Sequence, residues 1–129
     1  MINPQTFSNM NFGEFFRQKR VNSGLTLRTF CERFGLDPAY ISRLETGNLN
    51  PPKDRDKLSS LAQALNIREE STDWVNFFDQ AYLAKGEIPQ DILEDKKSSK
   101  YLPLLFRTAR GKKLSKKKLQ ELIKLINNA

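Results

Sequence analysis

Apolar residues along this chain return every three or four positions, and no run alternates at period two. Such spacing lays apolar side chains along one stripe of a helix, whereas a half-buried strand needs strict alternation. The chain is therefore expected to be all-α. Phe12, Phe15 and Phe16 define a first helix ending near Asn22-Ser23-Gly24, where the glycine suits a left-handed stop. Thr26 is a good N-cap for a second helix carrying Leu27, Phe30, Cys31 and Phe34 before Gly35. Asp37-Pro38 reads as an N-cap and first helical residue, a position where proline's missing N–H costs nothing. The third helix runs to about Thr46 on Tyr40, Ile41 and Leu44, and Gly47 stops it. After the loop Asn48-Leu49-Asn50-Pro51-Pro52, a fourth helix spans Arg55–Leu65. Ser71 or Thr72 opens a fifth, which carries Trp74, Val75, Phe77, Phe78, Ala81 and Tyr82 to Lys85-Gly86.

Beyond Gly86 the composition shifts to Pro, Ser, Asp and Lys. Residues 86–100 are expected to be a linker with one turn at Pro89–Leu93. Pro103 is expected to begin a short helix (Leu104, Leu105, Phe106, Ala109) stopped by Gly111. Ser115 caps the last helix, with Leu114 and Leu119 as a hydrophobic staple around the cap. Leu119, Leu122, Ile123 and Ile126 make one apolar stripe, and Lys116, Lys117, Lys118 and Lys124 face away from it. The expected organisation is an arm (1–10), a five-helix domain (11–85), a linker (86–100) and a basic amphipathic extension (101–129).

The chain has no histidine, which removes Ser-His-Asp and Cys-His catalysis and every His-liganded zinc scheme. No acid/base pair in an apolar setting stands out, so no enzyme, cofactor or metal is expected. The single cysteine, Cys31, makes no internal disulfide and reads as a small buried side chain. No apolar run approaches the ~18 residues of a membrane span. Met1–Met10 lack the basic-then-apolar layout of a signal peptide, and a cytoplasmic location follows as the expectation. Net charge is +7, distributed unevenly. Residues 1–52 hold six Lys/Arg against four Asp/Glu, 53–95 five against ten, and 96–129 eleven against one. The excess of cations lies wholly in the last quarter, which points to a polyanion, an acidic partner or an acidic patch in a second copy.

The second and third helices, joined by a three-residue turn at Gly35, are arranged as a helix-turn-helix that sets its second helix into a major groove. Phe12-Gly13-Glu14, Arg20, Gly24-Leu25-Thr26, Phe34-Gly35-Leu36 and above all Tyr40-Ile41-Ser42-Arg43-Leu44-Glu45-Thr46-Gly47 carry a family likeness. With them, roughly residues 11–67 resemble the Xre-type, lambda-repressor-like helix-turn-helix regulators. The resemblance implies a five-helix domain that binds double-stranded DNA, usually as a dimer on a palindromic operator, acting as repressor or activator. It also implies an internal salt bridge between Arg20 and Glu45 that ties the first helix to the recognition helix.

Pro38, Ala39, Ser42 and Arg43 would then meet base edges. The family's better-known readers often place glutamine at the positions of Leu27, Pro38 and Ala39, and this chain does not. Pro38 and Ala39 offer only apolar contact to a thymine methyl, so hydrogen-bonded readout falls on Arg43, whose fork fits guanine O6 and N7, with Ser42 beside it. Phosphate contacts are expected from Thr26 and Arg28 at the second helix N-terminus. Thr46, Asn48, Asn50 and Lys53 are expected to add theirs from the following loop. Tyr40 has two readings, hydroxyl on phosphate or ring packed under the domain. The stripe of Leu119, Leu122, Ile123 and Ile126 must be covered by its own domain, a second protomer or a different protein. A homodimer is preferred, because two-fold pairing sets two recognition helices ~34 Å apart, one turn of B-DNA. A dimeric repressor is thus the leading expectation. The alternative is an antitoxin-type regulator whose extension also neutralises a protein partner.

Overall fold

The computed structural model describes residues 10–112 and 115–128, without the side chains of Lys112, Lys116, Leu119, Ile123 and Asn127. The arm before Met10 and the Leu114 half of the staple lie outside the described residues. The described chain is all-α: α1 (Phe12–Asn22), α2 (Leu27–Phe34), α3 (Pro38–Glu45), α4 (Arg55–Ala64), α5 (Thr72–Ala84), α6 (Gln90–Glu94), α7 (Lys96–Lys112) and α8 (Lys116–Asn127). It divides into two compact units, the first ending at Ile88 and the second beginning at Pro89.

In the first unit each helix starts on a side chain that accepts from its own first turn: Asn11, Thr26, Asp37, Asp54 and Ser71. These caps satisfy donors that a helix leaves without an intrahelical acceptor. Gly24, Gly35 and Gly47 all lie at positive φ beyond helix ends. At Gly47 the Asn48 N–H reaches Arg43 O (2.9 Å) and the Gly47 N–H reaches Leu44 O (3.3 Å), the paired bonds of a Schellman stop. Asn66, φ 61°, plays the same part after α4.

The core is dominated by rings. Phe77 of α5 lies 5.0 Å from Phe12, 6.4 Å from Phe15 and 6.4 Å from Phe16, and Phe16 meets Phe30 edge-on at 5.9 Å. Cys31, Ile41, Leu44, Leu58, Leu61, Ala62, Leu65, Ile67, Phe78 and Ala81 complete it. Aromatic pairs in these geometries add about 0.5–1.5 kcal/mol beyond the area they bury. α1 packs on both α3 and α5, α2 on α3, and α4 on α5. Lys19 pairs with Asp73 in the first turn of α5, and the Arg55 guanidinium lies 4.6 Å from the Phe78 ring centre. Phe34 and Val75, expected on apolar faces, are 41% and 53% exposed. Phe34 leans on Phe30 at the edge of the core, at 5.1 Å.

The second unit differs from the sequence expectation. The stretch 86–100 is largely helical, comprising α6 and the start of α7, and the helix expected from Pro103 begins at Lys96. The reason is Asp95. Its Oδ1 accepts from the Lys97 N–H (3.0 Å) and its Oδ2 from the Ser98 hydroxyl (2.9 Å), so Asp95 ends α6 through its extended backbone and caps α7 through its carboxylate. Those bonds hold the Asp95 carboxyl below its usual pKa. Pro103 therefore sits inside α7, where it offers no N–H to the Ser99 carbonyl. Ser115 caps α8 through the Lys118 N–H at 3.2 Å.

Candidate nucleic-acid interface

α3 is short, so what fixes its orientation must come from its neighbours. Ile41 and Leu44 are 0% and 1% exposed and anchor one side of it. At its C-terminal end two independent features bind it to α1. Arg20 Nε donates to Glu45 Oε2 (2.7 Å) and Arg20 Nη2 to Oε1 (2.9 Å), while Nη1 donates to the Leu25 carbonyl (2.8 Å). The bidentate pair is buried, and the hydrogen bonding by Glu45 raises the Arg20 pKa above its ordinary value. The second feature is Gly13. A Cβ there would stand 2.5 Å from Leu44 O and 2.6 Å from Glu45 O, so α1 crosses α3 at backbone contact. Cys31 is buried, as the sequence leads one to expect, whereas nothing in the sequence gives Gly13 a packing role.

The remaining face of α3 looks outward. Pro38, Ala39 and Arg43 are exposed and Ser42 is half-buried. Among the described residues Arg43 makes no ion pair. Ser42 lines a groove between α1 and α3 together with Arg17, Gln18 and Thr46. Arg17 and Gln18 were not singled out from the sequence, because exposed polar residues on α1 carry no periodic signal.

The expected backbone contacts surround this face in different states. Thr26 Oγ1 donates to Thr29 Oγ1 (2.9 Å) and accepts from the Thr29 N–H (3.1 Å). The Leu27 and Arg28 N–H groups, in the first turn of α2, have no intrahelical acceptor. Arg28 meets Glu32 at 3.3 Å with both side chains largely in solvent, a pair of little energetic weight that exchanges readily for another anion. The Thr46 hydroxyl donates to Ser42 O (3.0 Å), and Asn48 Nδ2 donates to Thr46 Oγ1 (3.1 Å). Those donors stiffen the turn after α3. Asn50 and Lys53 are exposed in the same loop. Tyr40 is half-buried and packed against the core, lining a groove with Phe34, Leu36 and Leu61. Burial raises the pKa of its phenol.

A helix clamped at one end, with its opposite face free of internal bonds, is what a groove-reading helix requires. A comparison with protein families matches residues 11–75 to a family described as helix-turn-helix domain. That span covers just over half of the 129 residues, and the chain belongs to this family. It carries a helix-turn-helix DNA-binding domain of the kind found in transcriptional regulators. The comparisons with curated proteins and with solved structures gave no match. Among the described residues no helix is long and apolar enough to cross a membrane, and no group of three or more His, Cys, Asp or Glu is placed to hold a metal ion.

Proposed function

We propose that this protein is a sequence-specific regulator acting as a dimeric repressor in the cytoplasm, with α3 of each protomer lying in the major groove of a palindromic operator. The single observation that carries the reading is the division of α3 into two faces. Ile41, Leu44 and Glu45 hold it to the domain, and Pro38, Ala39 and Arg43 are exposed, with Ser42 half-buried beside them. Arg43 reads a guanine through its fork, and Pro38 and Ala39 favour a neighbouring thymine by apolar contact. Arg28, Asn50 and Lys53 supply phosphate contacts that set register without reading sequence. Thr26 and Asn48 contribute by shaping the turns that present those groups.

Dimerisation is assigned to the extension, where Leu122, Leu125 and Ile126 of α8 are exposed. Leu119 and Ile123 belong to the same stripe by sequence spacing, and their side chains lie outside the described ones. The same exposed surface suits a reading in which the extension also captures a protein, as an antitoxin does. Selection of bound duplexes from a random pool, followed by competition with a scrambled sequence, tests the proposal. The expected product is a symmetric site with a dominant G in each half. Equal affinity for the selected and scrambled duplexes would end it. Co-purification of a stoichiometric second protein that abolishes operator binding would favour the antitoxin form.

A further inference from the structure

α7 has a second kind of surface that the recognition helix does not explain. Over Lys96–Lys112 it carries Lys and Arg but no Asp or Glu. Lys96, Lys100, Arg107 and Arg110 are separated by four, seven and three residues, close to whole numbers of the ~3.6-residue helical turn. They therefore share one face of the helix, with Pro103 filling the gap in the row. All four are exposed, and among the described residues none makes an ion pair. Of the apolar residues, themselves 41–62% exposed, Leu105 lies opposite the row and Tyr101 far round from it, while Leu104 and Phe106 flank it, one turn from Lys100 and Arg110.

Resting on the reading of the chain as a DNA-binding regulator, we propose that this row is a second, sequence-independent contact to the phosphate backbone of duplex DNA. A row of fixed cations without an intervening carboxylate matches a line of phosphates in charge, and α7 spans about 25 Å at ~1.5 Å per residue. An anionic membrane is the other polyanion such a helix meets. A helix lying at such a membrane buries its apolar side and keeps its cations at headgroup level, so the charge pattern by itself serves either polyanion. The helix-turn-helix DNA-binding domain in the same chain makes duplex DNA the polyanion that this row meets.

The test compares three full-length proteins: wild type, a stripe variant (K96Q/K100Q/R107Q/R110Q) and a control that removes four exposed cations off the row (K97Q/K117Q/K118Q/K124Q). Affinity for a non-cognate duplex is measured from about 50 to 200 mM salt, the range over which phosphate binding by cations weakens. Every phosphate that is no longer neutralised lowers the slope of log affinity against log salt by about 0.9, so the slope of the stripe variant should be smaller by roughly 3 to 4. Across that fourfold range of salt, the decline in affinity of the stripe variant should be roughly a hundredfold smaller than that of wild type. The control should keep most of the wild-type slope. All substitutions are at exposed positions, and circular dichroism checks that helix content is unchanged. A stripe slope equal to that of wild type or of the control overturns the proposal. So does loss of binding to vesicles of phosphatidylserine and phosphatidylcholine with the duplex slope intact. Discrimination between selected and scrambled DNA is scored separately. Discrimination with an unaltered slope sinks the row alone, whereas a changed slope without discrimination sinks the reading by α3 alone. Wild type that binds no duplex ends both.

Discussion

Arg20 and Glu45 meet fork to fork across the α1–α3 contact, with side chains 9% and 6% exposed. The pair sets α3 against the domain, and removing one partner strands a buried charge. Arg20→Met or Glu45→Leu alone is expected to cost about 3–5 kcal/mol of unfolding free energy, and the double variant far less than the sum. Urea unfolding of all four proteins closes the cycle. Additive losses would show that the two side chains act independently.

Gly13→Ala is expected to separate α1 from α3, because the new methyl would meet the carbonyl oxygens of Leu44 and Glu45, which are backbone and do not rotate away. Overpacking of this kind costs about 1–3 kcal/mol, offset by up to ~1 kcal/mol of improved helix propensity. A lower Tm together with weaker operator binding is the expected result. A Tm at or above wild type would mean that the crossing yields freely.

Arg43→Ala should cost about 1–3 kcal/mol at the operator and flatten preference at one base pair, because the proposed bidentate guanine contact would be lost. Binding to each of the four base variants at that pair reads the effect. Lys53→Ala should instead weaken all four alike. Uniform loss for Arg43→Ala would make that residue a phosphate contact.

Alkaline pH is expected to destabilise the domain through Cys31 and Tyr40. Burial raises both pKa values above their ordinary 9.0 and 10.0. For a group whose folded pKa is raised, the contribution to stability is complete below the unfolded pKa and is lost as pH climbs through the folded one. Tm should therefore fall from about pH 9 upward. Cys31→Ala and Tyr40→Phe should each make the fall shallower, by differential scanning fluorimetry. Curves superimposable on wild type would show that other groups govern the alkaline limb.

What could be read ahead of the structure depended on how each feature signals itself. The caps Thr26 and Asp37 and the stops Gly35 and Gly47 are local chemistry, and they bound helices where the residues say they should. The resemblance pointed to the Arg20–Glu45 pair, which spacing alone does not reveal. Gly13 was silent because a residue without a side chain adds nothing to a periodic pattern, and its role exists only once two helices cross. The start of α7 was misplaced because Pro103 resembles a helix opening, while Asp95 looked like one more acid in a polar stretch. The covering of the apolar extension was not legible, since an amphipathic stripe fits any apolar partner equally.

The outward face of α3 supplies none of the side-chain bonds that hold the domain together among the described residues. Pro38, Ala39, Ser42 and Arg43 can change while Ile41, Leu44 and the Arg20–Glu45 clamp stay as they are. On the proposed reading, target choice and thermodynamic robustness are thereby uncoupled, so descendants of one sequence could drift to new operators without passing through an unfolded ancestor.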